Sequence, residues 1–225
     1  MKVGTDGVLL GAWVDEFSVH RILDIGTGTG LIALMLAQRF SGLIDAVEID
    51  EEACLQAREN FTASPWAGRL QVIQTSLQDY IKEERQLYDL IVSNPPFYAG
   101  AFTTSSEARN IARHSNIRLS FTDLINGVHR LLKQDGRFCL ILPAHEAKGF
   151  IRLAAAASLF PQRITRIKTK KAAPDKRFLI QFRRVQATVS DDELVIRNDH
   201  SGFTDEYIRL THAYYLGLKN QAAER

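Results

Sequence analysis

Short apolar stretches alternate with amphipathic stretches along the first two thirds of the chain. The apolar stretches predict strands at residues 21–26, 43–50, 70–74, 88–93 and 137–142. Helical spacing of apolar positions predicts helices at residues 31–40, 51–61 and 121–132. Repeated strand–helix units predict a parallel sheet with helices on both faces. Continuously apolar strands fit burial on both of those faces.

The pattern changes beyond residue 160. Two strand-like stretches, residues 163–170 and 178–184, are separated by a turn at residues 171–175 instead of a helix. They predict an antiparallel hairpin that closes a mostly parallel, seven-stranded sheet. An apolar segment at residues 194–196 and an amphipathic segment at 205–216 finish the chain. We expect one α/β domain over residues 1–225, because no segment has the composition of a linker.

Composition excludes several classes of protein. The chain has 225 residues, of which 45% are hydrophobic and 24% charged, values that exclude disordered and fibrous proteins. Neither a membrane span nor a signal peptide is recognisable. Cys54 and Cys139 are far apart, and the six histidines follow no ligand spacing, so we expect buried reduced thiols and no metal. A cytoplasmic protein is the corresponding expectation.

The charge is distributed unevenly. Residues 161–184 contain nine Lys and Arg and one acid, a net charge of +8, whereas the whole chain carries +2. The rest of the chain therefore carries −6. A local basic block on an otherwise acidic chain favours a polyanionic partner such as RNA. The alternative is a charged hairpin that protects the edge of the sheet.

A glycine-rich loop follows the first predicted strand and opens the first predicted helix. It contains Asp24, Gly26, Gly28 and Gly30. Glycines allow a ligand to approach the backbone closely, and ligands bind at the carboxyl ends of parallel strands. Glu48 ends the second strand, where a carboxylate can hold two ribose hydroxyl groups. The loop therefore predicts a site for a cofactor that contains a nucleoside.

The loop alone leaves two cofactors open. Residues 28–33 fit the dinucleotide fingerprint, so an NAD-dependent oxidoreductase is an alternative. Asp24 weighs against it, since a carboxylate before the first glycine repels a pyrophosphate. The spacing of the three glycines resembles the first motif of S-adenosylmethionine-dependent methyltransferases. In that family the acid faces the ammonium end of the cofactor's methionine moiety.

Asn94, Pro95, Pro96 and Phe97 directly follow the fourth predicted strand. The two prolines fix the backbone and remove two amide donors. The side-chain oxygen of Asn94 and the carbonyl of Pro95 can each accept one N–H of a planar amine, and Phe97 can stack on the ring that bears it. With a sulfonium methyl donor, positioning and fixed dipoles are the main requirements, and no strong base is needed. A strand followed by an inert Pro-Pro loop is the alternative.

The whole chain resembles one family of enzymes. Residues 94–97 match the amino-methyltransferases that carry an Asn-Pro-Pro-Phe/Tyr motif. Within that group, residues 1–13 closely resemble the N-terminal lead-in of the bacterial enzymes that methylate adenine 37 of valine tRNA. Residues 75–80, 98, 203–207 and 214–216 are similar to the same family. Its members carry a further segment before the lead-in, here residues 1–20, so we expect that segment to be missing.

The resemblance implies a Rossmann-like S-adenosylmethionine-dependent methyltransferase that modifies tRNA. By the same resemblance, Thr5 and Asp6 lie near the methionine end of the cofactor, and Ser76 and Leu77 lie near its adenine. A monomer is expected. Ribosomal RNA or a release-factor glutamine is the alternative substrate for the same chemistry, and an RNA-binding module without catalysis is the alternative to an enzyme.

Two segments are candidates for RNA binding. The polar stretch at residues 98–120 follows the proline motif and is expected to cover the target base. A solvated connecting loop is the alternative there. The basic hairpin at residues 161–184 is expected to grip phosphates. The predicted RNA-binding residues are Arg109, Arg113, Arg118, Lys168, Lys170, Lys171, Lys176 and Arg177.

Overall fold

A computed structural model describes residues 4–84, 86–96, 119–200, 202–216 and 218. These residues form one sheet of eight strands in the order β3-β2-β1-β4-β5-β7-β6-β8. The strands are β1 Arg21–Ile25, β2 Leu43–Glu48, β3 Leu70–Gln74, β4 Tyr88–Ser93, β5 Leu132–Pro143, β6 Phe160–Lys168, β7 Arg177–Arg183 and β8 Ser190–Val195. Seven of them run in one direction and only β7 opposes them.

Seven helices accompany the sheet in the described residues. They are α1 Thr5–Trp13, α2 Leu31–Arg39, α3 Glu51–Thr62, α4 Leu77–Glu83, α5 Phe121–Leu131, α6 Ala144–Ala156 and α7 Asp205–Thr211. The periodicity predicts α2, α3, α5 and the start of α7. It does not predict α1, which is buried over most of its length and has no polar face. It also misses α4, which is only 7 residues long, and α6.

The two faces of the sheet carry separate hydrophobic cores. On β1, Ile22 packs into one core and Leu23 into the other. The same alternation on β4 sends Leu90 to the first core and Ile91 to the second. This period-two burial on both faces is typical of a parallel sheet between helices and confirms the predicted fold class. No helix in the described ranges is long and apolar enough to cross a membrane.

The end of the sheet differs from the prediction in one respect. The hairpin forms as predicted, with β6 and β7 antiparallel. It does not close the sheet, because β8 adds an eighth strand parallel to β6. This strand was predicted only as a short apolar segment, since Asp191, Asp192 and Glu193 interrupt any apolar pattern. Cys54 and Cys139 are buried and form no disulfide, as predicted.

The carboxyl ends of parallel strands all lie on one side of the sheet. This side, which is formed by strand ends and not by an outer strand, is here called the carboxyl edge. The loop after β1, the proline motif after β4, and the hairpin turn after β6 all lie on it, because β1, β4 and β6 run in the same direction. Ligands bind at this edge in open α/β sheets. The fold therefore collects the residues singled out by their sequence motifs on one side of the molecule.

Candidate active site

The loop between β1 and α2 has a conformation that requires glycine. Gly26, Gly28 and Gly30 have φ angles of 70°, 57° and 84°, in the left-handed region that other residues rarely adopt. The amide of Gly26 donates to the carbonyl of Val47 at 2.8 Å and so ties the loop to the end of β2. At Gly30, an added Cβ would clash with the ring of Phe61. At its three glycine positions, the loop therefore presents backbone that carries no side chain.

Replacing Gly30 by alanine is expected to lower the free energy of unfolding by about 2–5 kcal/mol, because left-handed strain and overpacking add. Denaturant titration measures this loss. Gly68→Ala is the matched control, since no atom lies within 4 Å of its added Cβ and its φ is not left-handed. Equal stability of the two variants would contradict the strained geometry at Gly30.

Glu48 is the residue that joins the glycine loop to the second strand. Its Oε2 accepts a hydrogen bond from the Gly28 amide at 2.8 Å. Its Oε1 accepts from the amides of Ile49 and Asp50, each at 2.9 Å. A carboxylate has about four acceptor positions, so the side chain keeps acceptor capacity for a ligand. Its position beside Gly28 agrees with the predicted ribose contact.

Asp24 lies beneath the same loop and is completely buried. Its Oδ2 accepts a hydrogen bond from the Thr27 hydroxyl at 2.6 Å, whereas Oδ1 is buried with no partner. Burial raises the pKa of the Asp24 carboxyl to about 7, and the negative charge of Glu48 acts in the same direction. Hydrogen bonds from Thr27 and from the Ala33 backbone oppose that rise. The unpaired oxygen suits a donor or a cation.

The proline motif stands beside the glycine loop. Ser93 pairs with Ile25 in the β4–β1 register, and its hydroxyl donates to the Ile25 carbonyl at 2.9 Å. Asn94, the next residue along the chain, therefore lies beside Gly26, the residue after Ile25. Its side-chain oxygen is buried and has no hydrogen-bond partner among the described residues. Since buried acceptors are almost always paired, this oxygen indicates a site for a missing donor.

The two prolines differ in exposure, because Pro95 is buried and Pro96 is exposed. Phe97 and the three arginines predicted to bind RNA, Arg109, Arg113 and Arg118, lie outside the described residues. Within the described ranges, no three His, Cys, Asp or Glu side chains are grouped so that they could hold a metal ion. The chemistry of the described site is therefore that of oxygen acceptors around a glycine loop.

Ser76 and Leu77 lie close to Glu48, but their side chains are engaged within the protein. The Thr75 amide donates to the Glu48 carbonyl at 2.9 Å, so the end of β3 is fixed beside β2. The Ser76 hydroxyl caps α4 by accepting from the Asp79 amide at 3.0 Å and donates to the Asp79 carboxylate at 2.7 Å. Leu77 is buried in the core. At these two positions, backbone atoms therefore remain available for a contact with the cofactor.

Asp6 and Arg177, which the sequence assigns to different ligands, are paired with each other. Arg177 Nε donates to Asp6 Oδ2 at 2.8 Å, and both side chains are about three-quarters buried. Arg177 opens β7 opposite Pro143, the last residue of β5, so the pair lies on the carboxyl edge. Thr5 lines a separate cavity with residues from the end of the chain.

Four of the nine cations of the basic hairpin are paired with acids that are distant in sequence. Arg166 pairs with Asp191 at 2.8 Å, and Lys168 pairs with Glu193 at 2.7 Å. Arg163 binds Asp15 at 2.7 Å. Strand β8 supplies the acids for Arg166 and Lys168, a pairing that the sequence of residues 161–184 alone does not indicate. The acidic run that precedes the apolar residues 194–196 is the signal that could have revealed it.

Three exposed lysines of the hairpin have no ion pair among the described residues: Lys170, Lys171 and Lys176. All three lie in or next to the turn between β6 and β7, on the carboxyl edge. Among the predicted RNA-binding residues that the structure describes, the other two, Lys168 and Arg177, are paired with acids.

Comparisons with known proteins agree with this site. A family model described as "Methyltransferase small domain" matches residues 4–148. A tRNA1(Val) (adenine(37)-N6)-methyltransferase of Flavobacterium psychrophilum is 48% identical over 97% of this chain and 94% of its own length. The protein of that name in Trichodesmium erythraeum is 45% identical over 96% of this chain and 91% of its own length.

A solved structure from Agrobacterium tumefaciens, described as a predicted O-methyltransferase, superimposes with a TM-score of 0.73. It covers 92% of this chain and 96% of its own, at 18% identity, so it supports the fold alone. The arrangement of strands and the glycine loop is accordingly that of Rossmann-like methyltransferases.

Proposed function

Since this chain belongs to the methyltransferase small domain family and to that of the tRNA1(Val) (adenine(37)-N6)-methyltransferases, we propose that it methylates N6 of adenine 37 in valine tRNA. Its cofactor is S-adenosyl-L-methionine. The observation that carries the proposal is the buried side-chain oxygen of Asn94 beside the glycine loop, which has no hydrogen-bond partner in the described part of the chain.

The residues of the loop fit the cofactor. Glu48 keeps acceptor capacity for ribose hydroxyl groups, and the unpartnered Asp24 oxygen suits an ammonium group. When bound, S-adenosylmethionine supplies an electrophilic methyl group on a sulfonium that leaves readily. The Asp24 carboxyl at the start of the loop disfavours a pyrophosphate, so the geometry supports this cofactor over NAD.

The proline motif orients the amine that accepts the methyl group. The Asn94 oxygen and the Pro95 carbonyl each accept one N–H, which directs the nitrogen lone pair out of the plane of the ring. Pro96 has no amide hydrogen to compete for these acceptors. Held in this way, the nitrogen would accept the methyl group that the sulfonium of bound S-adenosylmethionine supplies, with the thioether as leaving group, and would then lose one proton to water. A target base in an RNA loop reaches these acceptors only when it is splayed out of its stack.

Incubation of the enzyme with isotope-labelled cofactor and either total tRNA, ribosomes or release factors tests the substrate. We expect label in tRNA only, recovered as N6-methyladenosine. Label in ribosomal RNA or in a protein glutamine would overturn the substrate while retaining the chemistry. Tight binding of NAD and none of S-adenosylmethionine in calorimetry would overturn both.

Cofactor binding is expected to depend on pH through Asp24. Because its folded pKa of about 7 exceeds the usual 3.8, the neutral carboxyl stabilises the unliganded protein at low pH, and that contribution is lost as the pH rises through about 7. A cationic ligand favours the ionised form, so binding releases a proton below about pH 7 and strengthens as the pH rises. Calorimetry in buffers of different ionisation enthalpy measures the released proton. Asp24→Asn is expected to release none, and an equal release from both proteins would contradict this role.

The three unpaired lysines are expected to bind phosphates of the tRNA. Replacing Lys170, Lys171 and Lys176 by glutamine should raise the KM for tRNA and reduce the salt dependence of binding by about 2–3 in the log–log slope. Arg130→Gln is the control, because Arg130 is exposed at the opposite edge of the sheet, just before β5. A slope unchanged in the triple variant would exclude this turn from the RNA interface.

A further inference from the structure

A cavity of about 530 Å³ lies at the C-terminal end of the fold, outside the candidate active site. Its size falls within the usual range of small-molecule sites, about 300–1,000 Å³. Three aromatic side chains line it, from Phe203, Tyr207 and Tyr215, together with Arg197 and Thr169. The mechanism proposed above uses none of these residues.

The aromatic groups are arranged as flat, supported surfaces. The rings of Phe203 and Tyr207 stack with centroids 4.9 Å apart and an angle of 22° between their planes. The guanidinium carbon of Arg197 lies 4.8 Å from the centroid of Phe203. Tyr215 supplies a third ring to the same cavity. Stacked rings next to a guanidinium are the combination on which unpaired nucleic-acid bases stack.

The cavity is on the same edge of the sheet as the candidate active site. Thr169 directly follows β6, and Ile196 directly follows β8, so both lie at the carboxyl ends of strands parallel to β4. Four steps between adjacent strands separate β8 from β4. With neighbouring strands about 4.8 Å apart, the distance along the edge is about 19 Å. A nucleic-acid strand that enters the active site would reach the cavity within a few nucleotides.

Cations lie next to the cavity. Thr169 is followed by Lys170 and Lys171, two of the lysines without an ion pair among the described residues. A neighbouring depression shares Arg197 and mixes cations with acids such as Asp205. Stacking inside the cavity, with phosphates held by the lysine turn, therefore fits the site better than charge attraction alone.

We infer that this cavity binds an unpaired base of the RNA substrate, a few nucleotides away from the methylated adenine. The base stacks against the half-buried ring of Tyr215, and its phosphate lies toward Lys170 and Lys171. This inference rests on the proposed function, because it requires an RNA substrate. It adds a second contact that positions the loop of the tRNA relative to Asn94.

Steady-state methylation of valine tRNA by variants of the cavity tests the inference. Tyr215→Ala removes a ring and is expected to raise the KM for tRNA about 10-fold, the usual effect of losing one stacked base. The value of kcat and the affinity for S-adenosylmethionine should stay within about two-fold of wild type. Tyr215→Phe keeps the ring and loses only the hydroxyl group, so it should retain the wild-type KM.

A second variant distinguishes the loss of base binding from the loss of the folded structure. Thr169→Trp fills the cavity without removing any lining ring and is expected to raise the KM as Tyr215→Ala does, with an unchanged melting temperature. An unchanged KM in the folded variants, or a fall in melting temperature as their only effect, would overturn the inference and leave the proposed function intact. Failure of the wild-type enzyme to methylate any RNA would overturn both.

Discussion

Asn94→Ala is expected to lower kcat by about 100- to 1,000-fold and to leave the affinity for S-adenosylmethionine within about two-fold of wild type. The side-chain oxygen of Asn94 is buried without a hydrogen-bond partner among the described residues, so it is available to accept a hydrogen bond from a ligand. If that ligand is the target amine, the lost interaction belongs to the transfer step and not to cofactor binding. Single-turnover rates at saturating cofactor, with calorimetry of cofactor binding, separate the two effects.

Two further variants show whether the missing acceptor causes the loss. Asn94→Asp keeps oxygen acceptors at the same position and should retain more activity than the alanine variant. Asn126→Ala makes the same change at an exposed position on α5 and should leave kcat unchanged. Near-normal methylation by Asn94→Ala would mean that the amine is not held by this residue.

Glu48→Gln is expected to weaken binding of S-adenosylmethionine about 10- to 100-fold. The carboxylate accepts three backbone hydrogen bonds, from Gly28, Ile49 and Asp50, and has capacity for the ribose. An amide in its place turns one acceptor into a donor that faces other donors, and hydrogen bonds to charged groups are worth about 1.5–3 kcal/mol. The value of kcat at saturating cofactor should change far less than the dissociation constant.

Calorimetry of S-adenosylmethionine binding measures the effect of Glu48→Gln directly. Glu52→Gln is the matched control. Glu52 lies near Glu48 in the sequence, at the start of α3, is exposed to solvent and carries the same charge. Equal affinities for the two variants would show that the cofactor does not contact Glu48. A loss of affinity in both variants would point to a general electrostatic effect instead.

Local patterns predict the inner part of this fold well. Strands β1, β2, β3 and β4 are rich in apolar residues and were placed within two residues of their ends. The second strand ends at Glu48 and not at residue 50, because Asp50 instead caps α3 through the Ala53 amide. The glycine loop was also predictable, since its three left-handed residues leave glycine as the favoured choice.

Tertiary pairing explains what the sequence could not predict. The positive charge of the hairpin was visible, but the strand that neutralises it is formed by residues 190–195, which are adjacent only in the folded sheet. Likewise, Asp6 and Arg177 are 171 positions apart and meet through the packing of α1 against the sheet. The aromatic cavity combines α1, the hairpin turn and the C-terminal segment, so no single stretch of sequence indicates it.

The central claim is that Asn94 and Pro95 present two oxygen acceptors to an exocyclic amine beside bound S-adenosylmethionine. Mass spectrometry of valine tRNA fragments most directly tests it, after an unmodified transcript has been incubated with the enzyme and labelled cofactor. The account predicts one methyl group on adenine 37, recovered as N6-methyladenosine. A methyl group on a ring nitrogen, or an unmodified adenine 37 with label elsewhere, would contradict it.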